Sequence, residues 1–226
     1  MGAYLLTGAG SGIGELVARA LHDRGEELWL LARSAERAEQ LAASYDGART
    51  LVADLADPSS LTGLDVPDAL DGVVHSAGVI GLAAMDHADA ASLTESVTVN
   101  LLAPMLLTRL VVGAVRRRRG THVFLNSRSG LWARAEQSAY NASKFGLRGF
   151  ADALREEETA HGVRVTSVFP GRVATPMQER LRAAEGEDYD ASDWIRPETV
   201  AAQVVSVLDL SEDATITDLT ISPTPR

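Results

Sequence analysis

The sequence predicts an α/β fold: one doubly wound parallel sheet of about seven strands with helices on both faces. Three observations point there. Short apolar runs alternate with longer amphipathic stretches along the whole chain. Several runs, such as 163–169, are apolar nearly throughout rather than at every second position, as strands buried on both faces require. A glycine-rich turn then joins the first run directly to the first amphipathic stretch. With 226 residues, the chain suits a single domain over 1–226 and is short for two.

Taken in order, a strand over 3–7 leads through the glycine turn into a helix over 13–24. Strand 27–32, helix 35–44 and strand 48–53 follow. The connection to strand 72–76 is short, so its crossover helix is expected to shrink to a turn. A long helix over 92–119, strand 122–126, helix 138–161 and strand 163–169 come next, and helix 197–210 and strand 215–221 close the chain. The intervening stretch 172–196 is polar, acidic and weakly periodic. It is either a disordered loop or a lid, and a lid is favoured because it follows a strand end, where ligands bind in open α/β sheets.

Composition narrows the function. A net charge of −10 argues against nucleic acid as a partner. The basic run 116–119 reads as solvated cations complementing a helix C-terminus. No apolar stretch is read as approaching the roughly 20 residues that span a bilayer, and the N-terminus has no basic region before an apolar core. No membrane partner and no secretory signal are therefore expected. Cysteine is absent, which removes disulfides, thiol nucleophiles and zinc thiolates and fits a cytoplasmic location. Among 21 basic residues a single one is lysine, Lys144.

The turn reads Gly8-Ala9-Gly10-Ser11-Gly12-Ile13-Gly14. Between a strand and a helix, its glycines let backbone N–H groups approach a pyrophosphate at the helix N-terminus, which makes Gly8, Gly10, Ser11, Gly12, Ile13 and Gly14 candidate cofactor contacts. At the end of the second strand, where an acid would bind the ribose of NAD, the sequence has Arg33. Its planar fork suits a 2′-phosphate, so NADP(H) is favoured over NAD(H). A solvated loop role for Arg33, with either cofactor accepted, is the alternative.

Tyr140 and Lys144 are four residues apart and share one helix face. A free phenol has a pKa of about 10, and a fixed ammonium nearby would lower it toward a useful acid–base range. Ser127, at a strand end thirteen residues earlier, can donate to a carbonyl oxygen gaining charge, with Ser129 as the local competitor. Asn100 precedes Pro104 by four, so the proline leaves the Asn100 carbonyl without its helical donor. A polar helix residue beside a routine kink is the plainer reading of Asn100.

These motifs together resemble the short-chain dehydrogenase/reductase family over nearly the whole chain, which implies a Rossmann-type fold. The resemblance implies Asn100, Ser127, Tyr140 and Lys144 as the catalytic set, with Asn100 holding a water that links Lys144 to solvent. It implies that Asp54 and Leu55 contact adenine, and that Pro170, Gly171, Val173 and Thr175 border the nicotinamide. Asp54 could equally cap a turn. The family's Asn-Asn-Ala-Gly run appears here as His75-Ser76-Ala77-Gly78. Ala77 and Gly78 keep the close approach to the cofactor, an asparagine role passes to Ser76 or is lost, and His75 reads as strand-end packing. The implied activity is NADP(H)-dependent interconversion of a small-molecule carbonyl and an alcohol, Tyr140 being the acid and base, in a homodimer or homotetramer. The lid, Trp132, Met177 and Trp194 are placed at the substrate pocket by position alone. Two alternatives remain: a non-catalytic NADP(H)-binding regulator or sensor, and an epimerase or dehydratase on the same fold. The first does not need the four-residue set, and the second needs a longer C-terminal part.

Overall fold

A computed structural model describes residues 1–224. Its strands are β1 (Ala3–Thr7), β2 (Glu27–Ala32), β3 (Arg49–Val52), β4 (Gly72–His75), β5 (Thr121–Leu125), β6 (Arg164–Pro170) and β7 (Asp218–Ile221). Its helices are α1 (Gly12–His22), α2 (Ala35–Ser44), α3 (Ala90–Val97), α4 (Ala103–Arg118), α5 (Ser138–Glu158), α6 (Pro176–Glu185) and α7 (Pro197–Leu208). The strands form one sheet in the order β3-β2-β1-β4-β5-β6-β7, with every pair parallel. Winding reverses between β1 and β4, so the crevice for a ligand opens beyond the C-terminal ends of those two strands.

Alternation along each strand fills two core layers. Leu6, Leu28 and Leu30 point to one face, where Val17 and Leu21 of α1, Leu41 of α2 and Val204 and Leu208 of α7 cover them. Leu5, Trp29 and Leu31 point to the other, against Leu107, Val111 and Val115 of α4. Leu147, Ala151 and Leu154 of α5 complete that layer over Phe124 and Val165. Each fully buried aliphatic side chain contributes about 1.5–3 kcal/mol, so this double layer is the main source of stability.

The short connection before β4 holds only one tight turn, Pro58–Leu61, capped by Asp57. Elsewhere the structure corrects the sequence reading in four places. First, 172–196 contains a ten-residue helix, α6, started by the Thr175 hydroxyl as cap and Pro176, and ended by Gly186 at φ +73°. Its polar composition hid it, because only Gln178 and Leu181 are buried.

Second, the long helix is not uniform: between α3 and α4 it widens into a π-turn over Thr98–Leu102, where the Ala103 N–H bonds the Thr98 carbonyl. Pro104, lacking an N–H just beyond, is the local cause. Third, the joined run Ala90–Arg118 is long and apolar enough to cross a membrane by length and composition. In its most apolar 18-residue window, 44 % is buried inside the domain, against the sheet. Finally, Arg116 is not merely a solvated helix-end cation: it makes a bidentate pair with the buried Glu158, at 2.6 and 2.8 Å, joining the C-terminal ends of α4 and α5.

Candidate active site

The crevice is built from backbone. The Thr7 hydroxyl, at the end of β1, accepts the N–H groups of both Ser76 and Ala77 at 3.1 Å, drawing the ends of β1 and β4 together. Gly8 and Gly12 lie at φ +72° and +58°, where a side chain is costly. A Cβ on Gly14 would collide with the Gly8 carbonyl and stand 2.6 Å from the Ser76 hydroxyl. Ser11 precedes α1 without capping it through its side chain. The loop therefore lies bare against a helix N-terminus, and its residues fit a pyrophosphate.

Beyond the loop lies a cavity of about 550 Å³, lined among others by Gly10, Ser11, Arg33, Asp54 and Leu55. Asp54 does both things expected of it: it lines this cavity, and its carboxylate caps a turn by accepting the Ala56 N–H at 3.0 Å. The sequence reading overlooked Arg37. Its guanidinium donates to the Gly10 carbonyl at 2.5 Å and to Gln40 at 2.6 Å, across the mouth of the glycine loop. Among the described residues neither Arg33 nor Arg37 has a carboxylate partner, so the pair fits an additional phosphate at this end of a dinucleotide. The spacing of Arg37, four residues from Arg33 on a helix capped by Ser34, was the available signal.

The other wall carries the reacting groups. Ser127 lies two residues beyond β5, and its Oγ accepts the Ser129 N–H at 3.1 Å, starting a short turn over Arg128–Gly130. Tyr140 and Lys144 face the same cavity from α5, with the Ser127 hydroxyl on the same wall. Burial raises the Tyr140 hydroxyl above its usual range, and the Ser127 hydroxyl pulls it partly back. The expectation that Lys144 does the lowering is not what the geometry gives. The Lys144 amine lies 5.7 Å from the Tyr140 ring centre and donates to the Leu125 carbonyl at 3.0 Å. Burial depresses Lys144 itself to about 8.

Two asparagines hold this wall in place. Asn126, overlooked in the sequence, accepts the Ser127 N–H at 2.8 Å and donates to the Lys144 carbonyl at 3.2 Å. Asn100 sits in the π-turn, wholly buried, where its side chain pairs with both the N–H and the carbonyl of Val79 at 2.9 Å and donates to Ser143 at 3.2 Å. A Cβ on Gly78 would stand 3.1 Å from the Asn100 side-chain oxygen and 3.9 Å from the Lys144 amine, so Asn100 lies beneath the crevice floor.

These groups open into a cavity of about 710 Å³. Ile13, Ser76, Gly78, Pro170, Gly171, Val173 and Thr175 line it on the nucleotide side, and Trp132, Met177 and Trp194 line it too. Ala77 faces the smaller cavity, whereas Gly12, Gly14 and Asn100 line neither. Gly12 instead approaches the segment 172–196, since a Cβ there would meet the Thr175 methyl at 3.3 Å.

The feet of that segment are paired: Val173 bridges Ile195, and the Ala174 N–H bonds the Ile195 carbonyl at 2.8 Å. Arg172 and Arg182 both pair with Glu185 and both lie over the Trp194 ring, at 5.4 and 5.7 Å. His75 is buried away from this chemistry, stacked on Phe124 with ring centres 4.4 Å apart, as strand packing.

Comparison with known proteins agrees with this geometry. The family model described as short chain dehydrogenase matches residues 3–186. An uncharacterized short-chain type dehydrogenase/reductase of Sinorhizobium fredii is 32 % identical over 225 residues, covering 97 % of this chain and 90 % of that protein. A solved short chain dehydrogenase/reductase family protein is 28 % identical with a TM-score of 0.86, covering 97 % and 95 % of the two chains. An alcohol dehydrogenase from the archaeon Thermococcus sibiricus, solved with 5-hydroxy-NADP, shares the fold at 23 % identity and a TM-score of 0.82, over 98 % and 96 % of the chains.

Proposed function

The chain belongs to the short-chain dehydrogenase family of oxidoreductases, and on that premise we propose that it interconverts a carbonyl and an alcohol with NADP(H), Tyr140 acting as general acid and base. One observation carries the reading: Ser127, Tyr140 and Lys144 converge on the cavity that the nucleotide crevice opens into. A bound nicotinamide would supply the hydride for reduction, or take it in oxidation. Everything else falls to this chain's own side chains.

In reduction, Ser127 and Tyr140 hold the substrate oxygen. As the carbon gains the hydride, Tyr140 gives that oxygen its proton, leaving an alcohol and a phenolate. Burial keeps Tyr140 protonated near neutrality, which is the form reduction needs, and the Ser127 hydroxyl stabilises the phenolate that forms. Lys144, on the same cavity wall, would hold the nicotinamide ribose hydroxyls. Asn126 and Asn100 are positioning residues, fixing the Lys144 backbone and the crevice floor. Oxidation uses the same groups in reverse.

The NADP(H) preference rests on Arg33 and Arg37, with no acid at the end of β2. A second copy of this chain is the proposed occupant of the exposed apolar face formed by Val97, Leu102, Met105 and Phe145 on the α3–α5 side. Light scattering that finds only monomers overturns that assembly.

The deciding experiment is NADPH oxidation against a panel of ketones, aldehydes and quinones, with Tyr140→Phe as comparison. Turnover that drops at least a thousandfold in Tyr140→Phe, with NADPH binding retained, is the expected result. Near-full activity in that variant overturns the mechanism, and tight NADPH binding without any turnover overturns the enzyme.

A further inference from the structure

The larger cavity has an uneven distribution of charge. Five basic side chains line it: Arg128, Arg134, Lys144, Arg172 and Arg182. Arg172 and Arg182 are neutralised by Glu185, with Glu187 also pairing Arg182 at 3.4 Å. Asp193, the remaining acid on the wall, has a partner of its own. Lys144 is turned to the Leu125 carbonyl. Arg128 and Arg134 alone are left over: among the described residues neither meets a carboxylate. Both guanidiniums lie over the ring of Trp132, at 5.1 and 4.6 Å from its centre.

Both are also mounted on backbone that the reacting groups share. Arg128 follows Ser127 directly, and its Cδ lies 3.6 Å from where a Gly171 Cβ would stand. The Arg134 carbonyl is held at 2.7 Å by the side chain of Asn141, the residue after Tyr140. The orphan polar atoms of neighbouring wall residues, Gln178 Nε2 and Trp194 Nε1, are donors as well. In a chain of net charge −10, two uncompensated guanidiniums, on a cavity that also carries buried unpaired donors, make its wall complementary to an anion.

We propose that the substrate is a carboxylate-bearing carbonyl compound or its alcohol, with Arg128 and Arg134 binding the carboxylate while the carbonyl meets Ser127 and Tyr140. The Trp132 ring, under both guanidiniums, holds the two forks in place. This rests on the oxidoreductase reading above and names its substrate class.

The test compares acids with their neutral esters: acetoacetate with methyl acetoacetate, and levulinate with methyl levulinate. The acids should be reduced with kcat/KM at least tenfold above the esters. In Arg128→Gln and Arg134→Gln that advantage should vanish through a tenfold or greater rise in KM for the acids, with the esters changed less than twofold. Arg134→Lys should recover part of the loss. Circular dichroism and NADPH affinity unchanged from the parent protein certify that each variant is folded.

A second readout does not depend on turnover: succinate should bind the NADPH-loaded protein by calorimetry, more tightly than succinamide, and lose that advantage in both glutamine variants. Esters used as well as acids, or variants that weaken both equally, overturn the proposal while leaving the oxidoreductase intact. Carboxylate binding lost in the variants, with no carbonyl reduced, overturns the oxidoreductase and keeps the anion site. Neither binding nor turnover of the acids overturns the anion site.

Discussion

Lys144 donates to the Leu125 carbonyl at 3.0 Å, so the chain's single lysine is tethered to the strand end two residues before Ser127. Burial lowers its amine to about 8, from an ordinary value of 10.5. Its ammonium is therefore present below that pH and lost as pH rises through it. We expect kcat/KM for carbonyl reduction to be level near neutrality and to fall about tenfold per unit above about pH 8. Lys144→Met should remove the inflection and at least a hundredfold of activity. A profile flat from about pH 7 to 9 in the parent protein contradicts the assignment.

Gly14 stands where no side chain fits. Its Cβ would strike the Gly8 carbonyl, a backbone atom that cannot swing aside, and crowd the Ser76 hydroxyl at 2.6 Å. Gly14→Ala should cost about 1–3 kcal/mol in denaturant unfolding and weaken nucleotide binding at least tenfold. An alanine variant with parental affinity would show that the loop tolerates expansion and that pyrophosphate does not lie on it.

Arg37 bonds the Gly10 carbonyl at 2.5 Å, while Arg33 faces the same cavity with no acid partner. Charge-assisted hydrogen bonds contribute about 1.5–3 kcal/mol. The double variant Arg33→Ala/Arg37→Ala should thus bind NADPH about tenfold to a hundredfold more weakly, and NADH within about threefold of the parent. Equal losses for both nucleotides refute the 2′-phosphate contact.

His75 and His122 are buried beside Phe124, and neither nitrogen of His122 has a partner among the described residues. Burial drives His75 well below 6.5 and His122 to about 4. Both are neutral when folded and take up protons on unfolding, so stability is full above about pH 6.5 and falls as pH drops toward 4. For His122 alone the loss at pH 5 is about 2 kcal/mol. Urea unfolding of His122→Leu should show a shallower decline from pH 7 to 5 by about that amount. A variant with the parental pH dependence means the imidazole is already protonated in the fold.

What was legible in the sequence follows from which forces act locally. The apolar runs of Leu5–Leu6 and Leu28–Leu31 announce two-faced burial, so the sheet could be read before any coordinates. Gly8 to Gly14, Ser127, Tyr140 and Lys144 are spaced by local geometry and were equally readable. Asn126 and Asn141 were not, since their value lies in bonds to Lys144 and Arg134 whose geometry only the folded turn fixes. Helix α6 escaped because its polar face hides a periodicity carried by Gln178 and Leu181 alone. The source of the Tyr140 shift is not legible in the sequence either. Burial and the placement of the Ser127 hydroxyl depend on the folded wall, whereas a lysine four residues away is visible in any alignment of letters along a helix.

Helix α6 borders both cavities, with Arg180 on the nucleotide side and Gln178, Leu181 and Arg182 on the other. One short rod thus touches two visitors at once. Whatever settles against Arg180 also sets the wall that the second visitor meets. Occupancy of one side is therefore coupled to affinity on the other, by the same factor in both directions. A ligand of the larger cavity should then shift the nucleotide's affinity, as the nucleotide shifts its own.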